Sequence, residues 1–529
     1  MPTDCISYQN SGYFSNLITD YLDQKTHLKD LYNRFPTLEN FKEQIAEKEV
    51  AFNQNHRSLL VTVLQKQYSQ LSISHFTQQN IDSLKANTTF TVTTGHQLNL
   101  FSGPLYFLYK IISTLNLTNQ LKAAYPAYNF VPVYWMATED HDFEEINYFN
   151  FKGKKFRWNT KSTGPVGRLS TEGLDDFFEI YAKELGASNN AAYLKSLFEN
   201  SYLKHNNLAD ATRYLANELF GSYGLVILDA DSAELKRQFI PYIKEELTQQ
   251  IAFEKVNETT KVLENYSVQV NPREINLFYI EDNLRERIVF EQNVYKINNT
   301  KMEFSKDEIF DLVEKHPEKF SPNVIMRPLY QEVILPNLSY IGGGGEIAYW
   351  LELKSFFDAV KVPFPILLVR NSVLLATEKQ TKKADKLHLN WADLFAKQTD
   401  LENKITHRIS EFPIDLTTQK ESLQQQFEYL FQIAQQTDSS FLGAVKAQEI
   451  KQTKGLEKLE KRLLKAQKRK LHDQLERVTE LQNELFPNQS LQERQANFSE
   501  FYLEKGNELV SILIHKLQPL ENHFSIITI

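Results

Sequence analysis

Two clusters of residues carry most of the chemistry open to this sequence. The run Glu139-Asp140-His141-Asp142, continued by Glu144 and Glu145, places five carboxylates and one imidazole within seven positions. Carboxylates that close repel one another, so some must find cations, hydrogen-bond donors or a metal. If side chains alternate there as at a strand end, Glu139 and His141 face one way and Asp140 and Asp142 the other. One subset could then orient an amine and accept its proton. A metal would need a third or fourth ligand that the neighbouring sequence does not supply. The plain alternative is an exposed acidic turn. The second cluster is Gly342-Gly343-Gly344-Gly345, four of only 17 glycines in the chain. An average usage near 7% would give roughly 37. Concentrating glycine in one place argues for bare backbone beside a ligand. Gly343, Gly345 and Ala348 match part of a dinucleotide fingerprint, but no acidic residue ends a second strand ~20 positions on. Close approach of backbone to a ligand, with Glu346 opening a helix, is the sounder reading.

Both clusters sit where strands end. The β-branched run 90–94 predicts a buried strand. A loop follows from Thr94 to Gly103, carrying Gly95, His96, Gln97, Asn99 and Ser102. Pro104 then stands at a first helical position, with Ser102 or Gly103 as cap. Free N–H groups at that helix start would suit an anion, and His96 could donate to it or act as a base. The loop's structural alternative is a helix cap and nothing more. Strands are also predicted at 130–136, ending in the acidic run, at 225–229 and at 338–341, which leads into the glycines and a helix over 346–357. The last is 365–369, ending at Arg370-Asn371-Ser372. Strand, helix, strand within ~50 residues is a βαβ unit. Ligands of open α/β sheets bind beyond the carboxyl ends of the strands, so these four loops form the candidate site. Upstream of the glycines, Arg327 stands beside a proline-stiffened turn together with Tyr330. Its fork, like that of Arg370, suits a carboxylate or phosphate, and a structural salt bridge equally well.

The fold class is therefore α/β, a Rossmann-like doubly wound parallel sheet split by connective insertions, joined to a long α-helical arm. Residues 1–146 hold N-terminal helices and the first half of the core, 147–220 an insertion, and 221–375 the second half with a further insertion. From about 376 to 497 apolar residues fall into helical registers. Leu423, Phe427, Leu430, Ala434, Phe441 and Val445 form one run, and Leu456 to Leu485 a second that Pro487 closes. A break near Gly455 predicts a helical hairpin or coiled-coil arm. Residues 498–529 are apolar enough to pack back on the core.

Composition excludes several function classes. A net charge of −8 and a pI near 5.9 argue against sequence-independent nucleic-acid binding. Positions 446–477 hold eleven Lys/Arg against five Asp/Glu, which reads as a solvated helix face. No apolar stretch approaches membrane-spanning length, and the first 30 residues lack a signal-peptide core, so a soluble cytoplasmic protein without a membrane partner is expected. The single cysteine, Cys5, excludes intramolecular disulfides.

The blocks Thr94-Gly95-His96-Gln97, Ser102-Gly103-Pro104-Leu105-Tyr106, Trp135 to Glu145, Ser321 to Tyr330 and Tyr340 to Trp350 closely resemble the bacillithiol biosynthesis cysteine-adding enzymes, and the resemblance spans nearly the whole chain. It implies a Rossmann-type core related to class I aminoacyl-tRNA synthetases, and a coiled coil that makes a homodimer. It also implies joining of cysteine to malyl-glucosamine through an amide between the cysteine carboxyl and the sugar amine. A free carboxylate is a poor acyl donor, so activation with ATP or another nucleotide is implied. On that basis the Gly95-His96 turn would hold phosphate or activated carboxylate. Glu139, Asp140 or Asp142 would handle the amine, and Arg327 or Arg370 would meet the malyl carboxylates. The rival expectation is a nucleotide- or sugar-binding regulator that recruits partners through its arm and turns nothing over.

Overall fold

The structure, a computed structural model, describes residues 4–529. It forms two compact units, one running up to Leu375 and resuming over Leu491–Ile529, the other Ala376–Ser490. The first unit is built on five parallel strands: β1 (Thr89–His96), β2 (Asn129–Met136), β3 (Val226–Asp229), β4 (Asn337–Gly342) and β5 (Ile366–Val369). Their spatial order is β5-β4-β1-β2-β3. The chain thus winds outward from β1 in both directions, and the order reverses between β1 and β4. That reversal opens a crevice at the strands' carboxyl ends.

Every residue of β1 is buried, and three of its threonines are tied within the sheet. The Thr91 and Thr93 hydroxyls donate to Asn337 Oδ1 at 3.2 and 2.8 Å, and Thr94 donates to the Ile341 carbonyl at 2.8 Å. Phe90, Val92, Phe130, Leu338 and Ile366 join Phe41 and Ile45 of an N-terminal helix in one apolar core. Helix α1 (Tyr106–Ala124) crosses from β1 to β2 and is buried over most of its length, which is why its apolar residues recur on every face.

Several boundaries differ from the expected ones. Gly95 and His96 belong to β1 rather than to a loop, because they pair with Trp135 and Met136 of β2. Helix α1 starts at Tyr106, not Pro104; Phe101 and Ser102 take left-handed φ of 47° and 66°, and a short 3-10 turn fills the gap. The helix after the glycines begins at Gly344, two residues early, and ends as α3 (Gly344–Leu351) before a separate turn of helix, Lys354–Ala359. Nor is β5 the last strand. Ser372–Ala376 forms a small sheet with His523–Thr528 and Asp4–Ser7, in the order 4–7, 523–528, 372–376. Two polar residues between 369 and 372 were enough to switch sheets.

One insertion carries the β-hairpin Tyr148–Phe151 and Lys154–Arg157 and then helices Leu174–Leu185 and Asn189–Phe198. The other carries an antiparallel sheet in which Leu277–Glu281 lies between Leu284–Glu291 and Phe320–Pro322.

The second unit is helical. Helix α4 (Thr417–Ala434) packs against α5 (Ser439–Lys470), followed by α6 (His472–Leu485). The hairpin turns at residues 435–438, where the Asp438 carboxylate accepts from the Ser440 N–H at 2.8 Å. Gly455 lies inside α5 and breaks nothing. A glycine costs a helix interior ~1 kcal/mol, which a 32-residue helix absorbs, whereas a capping aspartate defines an end. No helix among the described residues is long and apolar enough to cross a membrane.

Candidate functional site

A cavity of about 960 Å³ opens over the carboxyl ends of β1, β2 and β4, at the reversal of strand order. Its floor comes from Gly95 to Gln97, Trp135 to Asp140, and Gly343, Gly345 and Glu346; the antiparallel insertion and the segment 269–275 form the opposite wall.

The floor is braced by one buried lysine. Lys110, on α1, donates to the Gly95 carbonyl at 2.6 Å and pairs with Glu346 at 2.5 Å, thereby joining the ends of β1 and β4. Glu346 also accepts from the Gly343 N–H at 2.9 Å and from the Tyr340 hydroxyl at 2.7 Å. Burial alone would raise its carboxyl, but the Lys110 charge and these hydrogen bonds outweigh burial and hold it below the usual range. A Cβ on Gly95 would sit 3.1 Å from the Tyr340 hydroxyl, so glycine lets the two strands' ends close up.

The acidic run begins beyond the end of β2 at Met136 and is not extended, so its side chains do not alternate. Glu139 turns into the protein, pairs with Lys236, and joins a chain in which Lys236 reaches Asp231 at 3.4 Å and Asp231 reaches Arg168 at 2.8 Å. Burial raises its carboxyl despite Lys236. Asp140 faces the cavity. Burial would raise it too, but the nearby His141 side chain at 3.7 Å, the Gln97 hydrogen bond, the Arg285 charge and the His141 N–H hold it well below the ordinary range. Gln97 Nε2 donates to both Asp140 (2.9 Å) and Glu145 (2.8 Å), making a two-carboxylate patch. His141 is half-exposed, with Nδ1 2.6 Å from Arg285. Asp142 is exposed and only precedes the short helix Phe143–Ile146.

His96 is buried against the rings of Tyr106 and Phe107, with Nε2 unpartnered at the cavity wall. Burial and the charges of Lys110 and Arg370 push its pKa well down, so it is neutral. Arg327, on α2 (Met326–Ile334), lies over the rings of Trp135, Tyr340 and Trp350 at 5.4–5.9 Å and has no carboxylate partner among the described residues. It is a boxed cation at the cavity wall, its Nη1 donating to Gln331 Oε1 at 3.0 Å and its Nη2 to the Tyr349 hydroxyl at 3.4 Å. Arg370 also lines the cavity, but Glu493 pairs with it at 2.7 Å with both side chains buried; it is a structural ion pair.

Several residues expected at the site lie elsewhere. Thr94 is a strand tie, Tyr330 donates to the Ala230 carbonyl at 2.8 Å, and Asn371 is spent on Ser113 and Gln518. Asn99, Ser102 and Gly103 do not line the cavity, although Asn99 Nδ2 donates to the Glu145 carbonyl at 3.2 Å. Asn497 Nδ2 donates to the Phe101 and Gly103 carbonyls at 2.9 and 2.6 Å, and the Leu105 N–H donates to Ala496. The expected anion cradle at the start of α1 is thus occupied by the chain's own C-terminal segment. Gly342 packs beneath Tyr340 and Glu346, and Gly344 against Phe14 and Ile18; only Gly343 and Gly345 face the cavity.

The structure adds Lys110, Arg273, Arg285, Arg287 and Arg494 to the lining. Lys110 had a signal, a lone charge within the apolar stretch Tyr106 to Leu117. Arg285 and Arg287 share one face of a strand by their spacing, but nothing in the sequence aims that strand at the core.

A polar, charge-lined cavity at the switch point of such a sheet marks the first unit as a Rossmann-like domain with a candidate small-molecule site. Comparison with known families narrows this. Residues 1–371 match the N-terminal Rossmann-like domain of BshC, a bacillithiol biosynthesis protein, and residues 373–529 match its C-terminal coiled-coil domain. The chain belongs to the BshC family of bacillithiol biosynthesis. Relatives provisionally named cysteine ligase BshC include one from Flavobacterium johnsoniae, 73% identical with both chains fully covered. One from Christiangramia forsetii is 56% identical, with 100% of this chain and 99% of the relative covered. One from Staphylococcus carnosus is 29% identical, with 94% and 95% covered.

Proposed function

We propose that this chain joins cysteine to malyl-glucosamine, forming an amide between the cysteine carboxyl and the sugar amine. The observation that carries this reading is the charge layout of the cavity. One side presents Asp140 and Glu145, bridged by Gln97, a patch suited to an ammonium group. Other parts of the wall present Arg327, Arg273, Arg285 and Arg287, suited to carboxylates. An amine-bearing dicarboxylic sugar conjugate matches both. Asp140, held ionised, orients the amine. Once the amine has attacked an activated carboxyl it becomes a strong acid, so even a weakly basic carboxylate can take its proton, and the carbonyl carbon's bond to the activating group then breaks, that group leaving with the electron pair.

The glycine turn does not fit a nucleotide's phosphates, because the Glu346 carboxylate already takes the Gly343 N–H and carries charge of the same sign. Phosphates of an activating ATP would lie on the arginine wall instead. The test is a low-molecular-weight thiol profile, by mass spectrometry, of the source organism with this gene deleted. Loss of the cysteine-bearing thiol with build-up of malyl-glucosamine is expected; an unchanged thiol pool, with no second copy present, would defeat the reading.

The helical unit supports a second element of the proposal, a homodimer through its hairpin. Tyr429, Leu430 and Ile433 on α4 and Phe441 and Leu442 on α5 are exposed apolar residues close to the turn. Sedimentation equilibrium should show a dimer that Ile433→Asp with Leu442→Asp converts to monomer; an unchanged mass would remove this interface.

A further inference from the structure

The segment joining the helix Ile251–Val262 to the strand Leu277–Glu281 has no regular structure, yet it forms part of the cavity wall through Gln269, Val270, Asn271, Arg273 and Ile275. Two buried glutamates tie it down. The Glu352 carboxylate, fully buried beyond the end of α3, accepts from the Gln269 N–H at 2.9 Å through Oε1, beside the Val270 backbone, while its Oε2 is buried without a hydrogen-bond partner among the described residues. Glu246, 2% exposed, accepts from both the backbone and side-chain N–H of Asn276 at 2.9 and 2.8 Å. Asn276 in turn holds the Arg273 carbonyl and N–H at 2.7 and 3.1 Å and receives the Asn323 side chain at 2.9 Å. Neither glutamate forms an ion pair among the described residues.

Burying a carboxylate without a cation is costly, and the cost is offset here by hydrogen bonds to this strap, with the Ala252 backbone adding to those of Glu246. Two such acids at its two ends fix the stretch 271–275 over the cavity. At the middle of that stretch stands Arg273, exposed, lining the cavity and without an acidic partner among the described residues. A guanidinium is the side chain best shaped to take a two-oxygen anion.

We propose that Arg273 is a substrate-binding residue for an anionic oxygen group, and that Glu352 and Glu246 are its positioning residues. The proposal rests on the function proposed above and deepens its reading of Arg273 by naming the residues that position it. The shared chemistry is carboxylate or phosphate, so calorimetric titrations of the full-length chain with malyl-glucosamine and with ATP separate the two sources. Arg273→Ala should weaken one of these ligands by about tenfold, the scale of a lost charged hydrogen bond. Glu352→Ala should weaken the same ligand by a similar factor, and the double variant should be no weaker than Arg273→Ala alone. Glu352→Gln, which keeps one acceptor, should recover part of the loss and guards against a folding defect in the alanine variant. In turnover the loss should fall on KM with kcat retained. Wild-type binding that Arg273→Ala leaves unchanged for both ligands overturns the proposal, as does full additivity of the two alanine variants. A wild type that binds neither ligand defeats the function proposed above, and this inference with it.

Discussion

The cavity's charges are of two kinds, distinguished by what holds them. Those buried against the parallel sheet are answered by an opposite charge: Lys110 by Glu346, Arg370 by Glu493, Glu139 by Lys236. Those carried by the strap and the antiparallel insertion are not. Arg273 and Arg287 have no acidic partner among the described residues, and Arg285 keeps only a 3.9 Å contact with Asp140. Arg327 stands between the two kinds, a cation held by rings. A paired buried charge fixes geometry and has little left for a ligand, whereas an unpaired one at a wall retains its capacity to bind. The core therefore builds the site, and the insertions equip it.

The largest effect that would break this division is at Arg370. Removing it leaves Glu493 charged at 1% exposure, and breaking a buried pair costs roughly 3–5 kcal/mol. Arg370→Met should lower stability by about that amount in urea titration, and adding Glu493→Leu should restore much of it. Loss of ligand affinity at unchanged stability would instead make Arg370 a binding residue.

Asp140 comes next, since it belongs to both kinds. Asp140→Asn should lower turnover by about a hundredfold, within the usual range for a residue that positions a proton transfer. Unchanged turnover would remove it from the mechanism. Its pKa also fixes a sign. A carboxyl depressed in the native state contributes stability above its unfolded value of about 3.9, and that stability is lost as pH falls toward the native pKa. Wild type should thus be more stable than Asp140→Asn at pH 7, with the gap closing below about pH 4.

How much of this was legible follows the same division. The five core strands could be read because β-branched, apolar runs announce themselves, and the loops at their ends led to Asp140, Gln97 and Glu346, while the proline beside Arg327 pointed to that residue. Parallel pairing pulled Gly95 and His96 into β1, which local propensity cannot show. The loop from Asn99 to Gly103 looked like an anion cradle because its N–H groups lacked a visible partner. The Phe101 N–H goes to the Tyr202 hydroxyl and the Gly103 N–H to the Leu100 carbonyl, while the loop's carbonyls and the Leu105 N–H are tied almost 400 residues away, by Asn497 and Ala496. The arginine wall was least legible. Its place over the cavity depends on contacts between insertions, such as Arg168 with Asp231 and Asp282, and Gly164 packed 2.7 Å from the Asp282 carbonyl when a Cβ is placed on it. No local pattern encodes such docking.

The smallest effect is also the sharpest test of the comparison. Arg287 is exposed and unpaired, so Arg287→Ala should change stability by no more than ~0.5 kcal/mol, as surface substitutions usually do. If the insertion equips the site, the same change should raise KM for the anionic substrate several-fold, with kcat intact. That increase should shrink as salt is added, because an exposed cation acts through a field that ions screen over about 8–10 Å. A salt-independent loss of kcat would mean that the wall shapes the reacting groups as the core does, and the division would fall. An unchanged KM at low salt would narrow the binding wall to Arg273, Arg285 and Arg327.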